Sequence, residues 1–158
     1  MPGPLSGVRV LELARILAGP WCGQTLADLG ADVIKVERPG AGDDTRGWGP
    51  PFMEDKDGGR LSSSYNLACN RGKRSIALDF GDPADLDLAC RLVSRADVVV
   101  ENFRRGVLER LGLGWEVLFL DRLESGMCCD AAGAGCAVED SVNLRYLLDV
   151  MGRFGLGD

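Results

Sequence analysis

The sequence predicts an α/β fold, a mainly parallel sheet with flanking helices. Three observations carry this expectation. Strand-like and helix-like stretches alternate over residues 8–111, the first two strands are joined through one helix within about 30 residues, and Val98-Val99-Val100 is an unbroken β-branched run. A strand covered on both faces of a parallel sheet reads as such a continuous run. A strand-helix-strand unit of this length makes a right-handed crossover between parallel strands. Together these features describe a Rossmann-like layer structure.

Val8 to Leu13 reads as the first strand. Ala14 to Pro20 is a break rich in small residues and closed by Gly19-Pro20, so a helix is expected at or just after Pro20. From Trp21 to Leu29, Cys22, Leu26 and Leu29 fall at helical spacing, and Gly30 stands where a left-handed C-terminal cap belongs. Ala31 to Glu37 is the second strand. Pro39 to Ser64, rich in Gly, Pro, Asp and Ser, reads as a long surface excursion. Tyr65 to Cys69 suits a short helix or a strand, and Asn70 to Arg74 is a basic turn before a strand at Ser75 to Phe80.

The next helix has the clearest start: Asp82 as cap, Pro83 at the first helical position and Asp85 in the first turn. Leu86, Ala89, Leu92, Val93 and Ala96 form its buried stripe. The strand Asp97 to Val100 follows, then a short helix at Arg105 to Leu111 with Val107, Leu108 and Leu111 inward. After Leu118 the pattern changes. Residues 119–158 hold three of the six cysteines, and only Val142 to Phe154 has an amphipathic helical pattern.

Composition narrows the function. With 18 Lys+Arg against 24 Asp+Glu the net charge is −6, which argues against nucleic acid or an anionic membrane as partner. The first residues lack an apolar core between charges, so neither a signal peptide nor a span is expected, and the chain reads as cytoplasmic. The six cysteines form no C-x-x-C pair and there is no histidine, which excludes a Cys/His zinc site and every Ser-His-Asp arrangement. The cysteines are expected as free thiols, and any chemistry must use carboxylates, thiols or a cofactor.

Ligands of an open parallel sheet bind beyond the carboxyl ends of its strands. The segments to inspect are therefore Arg15 to Ala18, Arg38-Pro39, Asp79 to Gly81 and Asn102 to Arg105. Arg38 stands where a dinucleotide fold reads the ribose, and its guanidinium suits a ribose phosphate; the alternative is a surface pair with Glu37 or Asp43. Asn102-Phe103-Arg104-Arg105 enters a helix whose N–H groups suit phosphate oxygens, with Phe103 either stacking on an adenine or plugging the core. Arg71, Lys73 and Arg74 are the densest basic group, for which a solvated turn is the ordinary state.

Several blocks are recognisable in order. They are Leu17-Ala18-Gly19-Pro20, Leu26 to Pro39 (LADLGADVIKVERP), Gly42 to Phe52 (GDDTRGWGPPF), Asn70 to Asp79 (NRGKRSIALD), Ala96 to Phe103 (ADVVVENF) and Leu108 to Gly114. They resemble the amino-terminal part of class III CoA-transferases, which include formyl-CoA transferase, carnitine CoA-transferases and the related alpha-methylacyl-CoA racemase. The resemblance implies a Rossmann-like large domain, incomplete here, in an interlocked homodimer. It implies coenzyme A, as acyl-CoA, and a carboxylic acid as substrates, with no metal. Ile16, Ala18, Arg38, Leu78, Asn102, Phe103 and Arg110 match positions that contact CoA, and Val107 and Leu111 border the same pocket. Leu17 replaces the Gln of formyl-CoA transferase, which argues against formyl or oxalyl specificity.

In the family an Asp carboxylate attacks the acyl-CoA thioester, forming an anhydride and then an aspartyl-CoA intermediate. That Asp lies downstream of the matching blocks. Asp130, Asp140 and Asp149 lack the surrounding Gly-Tyr-Asp pattern, and no nucleophile is assigned. The expected organisation is a CoA-binding part at 1–118 and a divergent tail at 119–158, of frameshifted or truncated origin. Three readings stay open: a CoA-transferase, a non-catalytic CoA- or nucleotide-binding fragment, and a remnant that needs its missing half to fold.

Overall fold

The computed structural model describes residues 2–114. The helix expected at Val142 to Phe154, the tail domain and Asp130, Asp140 and Asp149 lie outside the described residues.

Four parallel strands form the main sheet: β1 (Arg9–Glu12), β2 (Asp32–Glu37), β5 (Arg74–Ala77) and β6 (Val98–Val100), in the order β5-β2-β1-β6. Leu11 of β1 stands opposite Ile34 on one side and Val99 on the other, so β1 and β2 are the central strands. Helix α1 (Ala18–Asp28) connects β1 to β2, and α3 (Pro83–Arg95) connects β5 back across to β6. The connection reverses direction at β1, and the two helices pack on opposite faces of the sheet. This is the doubly wound arrangement the strand-helix alternation predicts.

Period-two alternation assigns the faces. Leu11, Leu13 and Val36 point toward α3, joining Leu78, Ala89, Val93, Ala96, Leu108 and Leu113. Val10, Val33, Val98 and Val100 point toward α1, joining Leu5, Val8, Ala14, Leu26 and Ala31.

Helix α1 begins at Ala18, two residues before the expected start. Gly19-Pro20 is its first turn rather than a break. Trp21 is the first residue whose N–H donates four residues back, to Leu17 at 2.7 Å, so the N–H that Pro20 lacks is one the helix would have left unused. The helix ends as the sequence implies. Gly30 has φ +101°, its N–H donates to Ala27 at 2.9 Å, and Ala31 N–H donates to Leu26 at 3.0 Å, the two bonds of a Schellman cap.

The excursion at Pro39 to Ser64 is more ordered than expected. It holds a 3₁₀ turn (Asp44–Gly47) and an antiparallel hairpin of β3 (Phe52–Glu54) and β4 (Arg60–Ser63). The hairpin leaves most of its side chains in solvent, so it has little apolar alternation to read. The Arg60 guanidinium lies 3.6 Å from the centre of the Phe52 ring. Tyr65 to Cys69 falls within a helix, α2 (Ser64–Asn70), capped by the Ser63 hydroxyl, which accepts from Asn66 N–H at 3.0 Å. The expected short helix at Arg105 to Leu111 is the single turn α4 (Val107–Arg110).

Candidate functional site

The carboxyl ends of all four parallel strands lie on one edge of the sheet, and the reversal of strand order puts the topological switch point, where such sheets bind their ligands, between β1 and β6. The loops that meet there are 13–17 and 101–106. Asn102 joins them: its Oδ1 accepts from Arg15 N–H at 2.9 Å and its Nδ2 donates to Arg15 O at 2.7 Å. On the other side of the loop the Asp43 carboxylate accepts from Ile16 N–H, at 3.2 Å to Oδ2.

Beneath this edge, on the α1 face, lies a buried ion network. Lys35 is 2% exposed and its ammonium has three partners: Glu12 Oε1 at 2.9 Å, Ala14 O at 2.8 Å and Asp43 Oδ2 at 3.0 Å. An ammonium carries three donors, so each has a partner. The Lys73 ammonium also has three neighbours: Pro20 O at 2.7 Å, Asn70 Oδ1 at 2.9 Å and, in a close ionic contact, Glu12 Oε2 at 2.6 Å. Glu12, fully buried, thus lies between two ammonium groups. Gly23 of α1 permits this approach, since a Cβ there would lie 1.9 Å from Glu12 Oε2.

A second carboxylate, Glu37, is fastened at the end of β2. It receives Arg46 through both oxygens at 2.6 Å, the Ser75 hydroxyl at 2.8 Å and Asp43 N–H at 2.8 Å. Burial raises the Glu37 pKa, but Arg46, Ser75 and Asp43 N–H outweigh it and bring the pKa down to about 2. For Asp43 burial again opposes ionisation and is overcome, here by Thr45 and Lys35, so its pKa falls below the ordinary value. Burial lowers the Lys73 pKa, against the pull of Glu12. Cys22 and Cys69 are thiols whose pKa burial raises, so they are poor nucleophiles.

Of the sequence-predicted residues, Ile16, Ala18, Arg38 and Asn102 stand at the carboxyl edge and are exposed. Arg38 pairs with Asp44, not with the Glu37 or Asp43 named as its alternative partners, because those two carboxylates are already taken by Arg46 and Lys35. Phe103 packs half-buried against the α3-side core, and Leu78 is 4% exposed within that core. Arg110 ends α4 and is exposed, while Val107 and Leu111 are half-buried.

The basic turn divides: Arg71 and Arg74 are exposed and pair with Asp28 and Asp32, whereas the Lys73 side chain is buried. The ion network was not anticipated from the sequence. Its signal is there in the strands, where Glu12 alternates with Val10, and Lys35 and Glu37 with Val33, on the face turned toward α1.

The decisive comparison is with family patterns: that of CoA-transferase family III matches residues 5–119. The chain belongs to CoA-transferase family III. The blocks recognised in the sequence are thereby assigned to the family they resemble. The chain is 63% identical over 115 residues to the succinate–glutarate CoA-transferase of Agrobacterium fabrum, a match that covers 73% of this chain and 29% of that protein. It is 52% identical over 113 residues to mouse succinyl-CoA:glutarate CoA-transferase, covering 72% of this chain and 24% of the relative. Among solved structures, a CAIB/BAIF family protein from Brucella suis superposes with a TM-score of 0.72 at 59% identity, over 77% of this chain and 31% of that one. The chain therefore spans less than a third of the length of these family III relatives.

Proposed function

We propose that this chain supplies the CoA-binding part of an enzyme that transfers CoA from an acyl-CoA to a carboxylic acid. The observation that carries the reading is the 63% identity to a succinate–glutarate CoA-transferase, in a chain whose parallel sheet has its switch point between β1 and β6. Succinate and glutarate are short dicarboxylates, and we take their monothioesters as the substrate class. Ile16, Ala18, Arg38, Asn102, Phe103 and Arg110 surround the CoA, with Leu78 as floor and Val107 and Leu111 at the border. The exposed guanidinium of Arg38 offers bidentate bonds to a CoA phosphate in place of Asp44. A homodimer in the cytoplasm completes the reading, in keeping with the family; among the described residues no helix is long and apolar enough to cross a membrane.

A second reading, a fragment that binds CoA without transferring it, rests on the lack of the family's Gly-Tyr-Asp pattern in this sequence. Calorimetric titration with CoA and a chromatographic assay of succinyl-CoA with glutarate separate the two. Binding with glutaryl-CoA formation supports the enzyme, and binding alone supports the fragment. Absence of CoA binding by the purified chain overturns both. Arg38→Ala is expected to weaken CoA binding by about tenfold or more, the loss of a charge-assisted bond.

A further inference from the structure

Three successive residues of the loop after β1 are held by side chains from three other places in the fold. Ala14 O accepts from Lys35 of β2 at 2.8 Å. Both backbone groups of Arg15 are engaged by Asn102, after β6. Ile16 N–H donates to Asp43, after β2, at 3.2 Å. Lys35 and Asp43 are themselves bonded at 3.0 Å, so two of the three supports form one unit.

The loop they hold is strained. Ile16 has φ +71°, and among the described residues it is the one non-glycine at positive φ. A β-branched residue avoids this region, and such backbone persists only where its surroundings over-determine it. The same conformation leaves Ile16 and Leu17 36% and 39% exposed at the carboxyl edge. A buried ion pair is a costly way to add stability, since apolar residues of similar volume do as well. Its use here is the geometry it imposes.

We propose that Lys35 and Asp43 are positioning residues, which hold the Ala14–Ile16 backbone in its strained form so that the ligand edge is preformed before CoA arrives. Neither touches the ligand, and the proposal rests on the reading of this edge as a CoA site. Without them the loop relaxes and the binding-competent form becomes a minor state. The apparent affinity then falls by the fraction that remains competent. A lost contact shortens the life of a complex; a lost preformed loop slows its formation.

The test uses the full 158-residue chain, with hydrogen exchange followed at single amides and CoA binding followed by stopped flow. In the free wild type the Ile16 amide is expected to be protected. In Asp43→Asn and Lys35→Met that protection drops while the Leu11 amide of β1 keeps its own. CoA then associates about tenfold more slowly, for a competent fraction near a tenth, with dissociation within about twofold. Ile16 protection that survives both substitutions, or an affinity loss confined to dissociation, overturns the proposal.

A third variant guards against misfolding of the first two. Ile16→Asn places a residue that tolerates left-handed backbone in an intact network, and it is expected to melt no lower than wild type. A fall of several degrees overturns the strain. Failure of the wild type to bind CoA removes the ligand reading alone, because the exchange and melting arms decide the positioning without ligand.

Discussion

The two faces of the sheet solve the same packing problem differently. Toward α3 the central strands present Leu11, Leu13 and Val36, and that layer is aliphatic along its length. Toward α1 they present Val10 and Val33 at their amino ends and Glu12, Lys35 and Glu37 at their carboxyl ends. The first face is held by burial of apolar surface, which is tolerant of direction. The second is held at its carboxyl end by bonds whose partners must be present together. Position along a strand, as well as the face, thus separates the part that secures the fold from the part that shapes the site.

The comparison is broken most directly at Glu12. Glu12→Ala leaves Lys35 and Lys73 with one fewer buried counter-charge each and is expected to cost about 3–5 kcal/mol in chemical denaturation. On the other face Leu11→Ala opens a cavity and costs roughly 2–4 kcal/mol, a loss of packing alone. If Glu12→Gln, which keeps the volume and loses the charge, is as stable as wild type, the contrast between the faces fails.

Acid sharpens it next. The folded-state pKa of Glu37 is depressed to about 2 from 4.5, so its stabilisation is present above pH 4.5 and is lost as pH falls toward 2. Roughly 3 kcal/mol is at stake for this group, as an upper figure, since its partner Arg46 is partly solvated. Glu37→Gln is expected to flatten that part of the stability curve, measured by denaturation from pH 6 down to about 2.5. The smallest effect belongs to the surface: Arg71→Ala, losing an exposed pair with Asp28, should leave the denaturation midpoint almost where it is, and the small difference should vanish in high salt.

Much of the fold is legible in the sequence because the signals are local. Asp82 and Pro83 start α3, Gly30 ends α1, and Val98-Val99-Val100 fills a covered strand. The start of α1 misleads, because Gly19-Pro20 carries the signature of a turn and only the unused N–H groups of a first helical turn make it acceptable. Lys73 misleads for a different reason. Its neighbours Arg71 and Arg74 are solvated, and what sets Lys73 apart is Glu12, 61 positions earlier in the chain, brought close by the parallel sheet and by the missing side chain at Gly23. At the carboxyl edge the exposed positions of Arg38 and Asn102 are legible from their place after strands. Asp43 is hidden in a segment that resembles an ordinary loop, and its partner Ile16 lies 27 positions earlier in the chain.

The bond between Asn102 and Arg15 bears on how such an edge can change. The amide of Asn102 reads only the N–H and C=O of residue 15 and is indifferent to the side chain attached there. The guanidinium of Arg15 points elsewhere, to Asp44 at 3.4 Å. Any residue but proline, which has no N–H to offer, can therefore stand at position 15 while the loop keeps its path, so the side chain carried at this edge is separable from the scaffold that holds it.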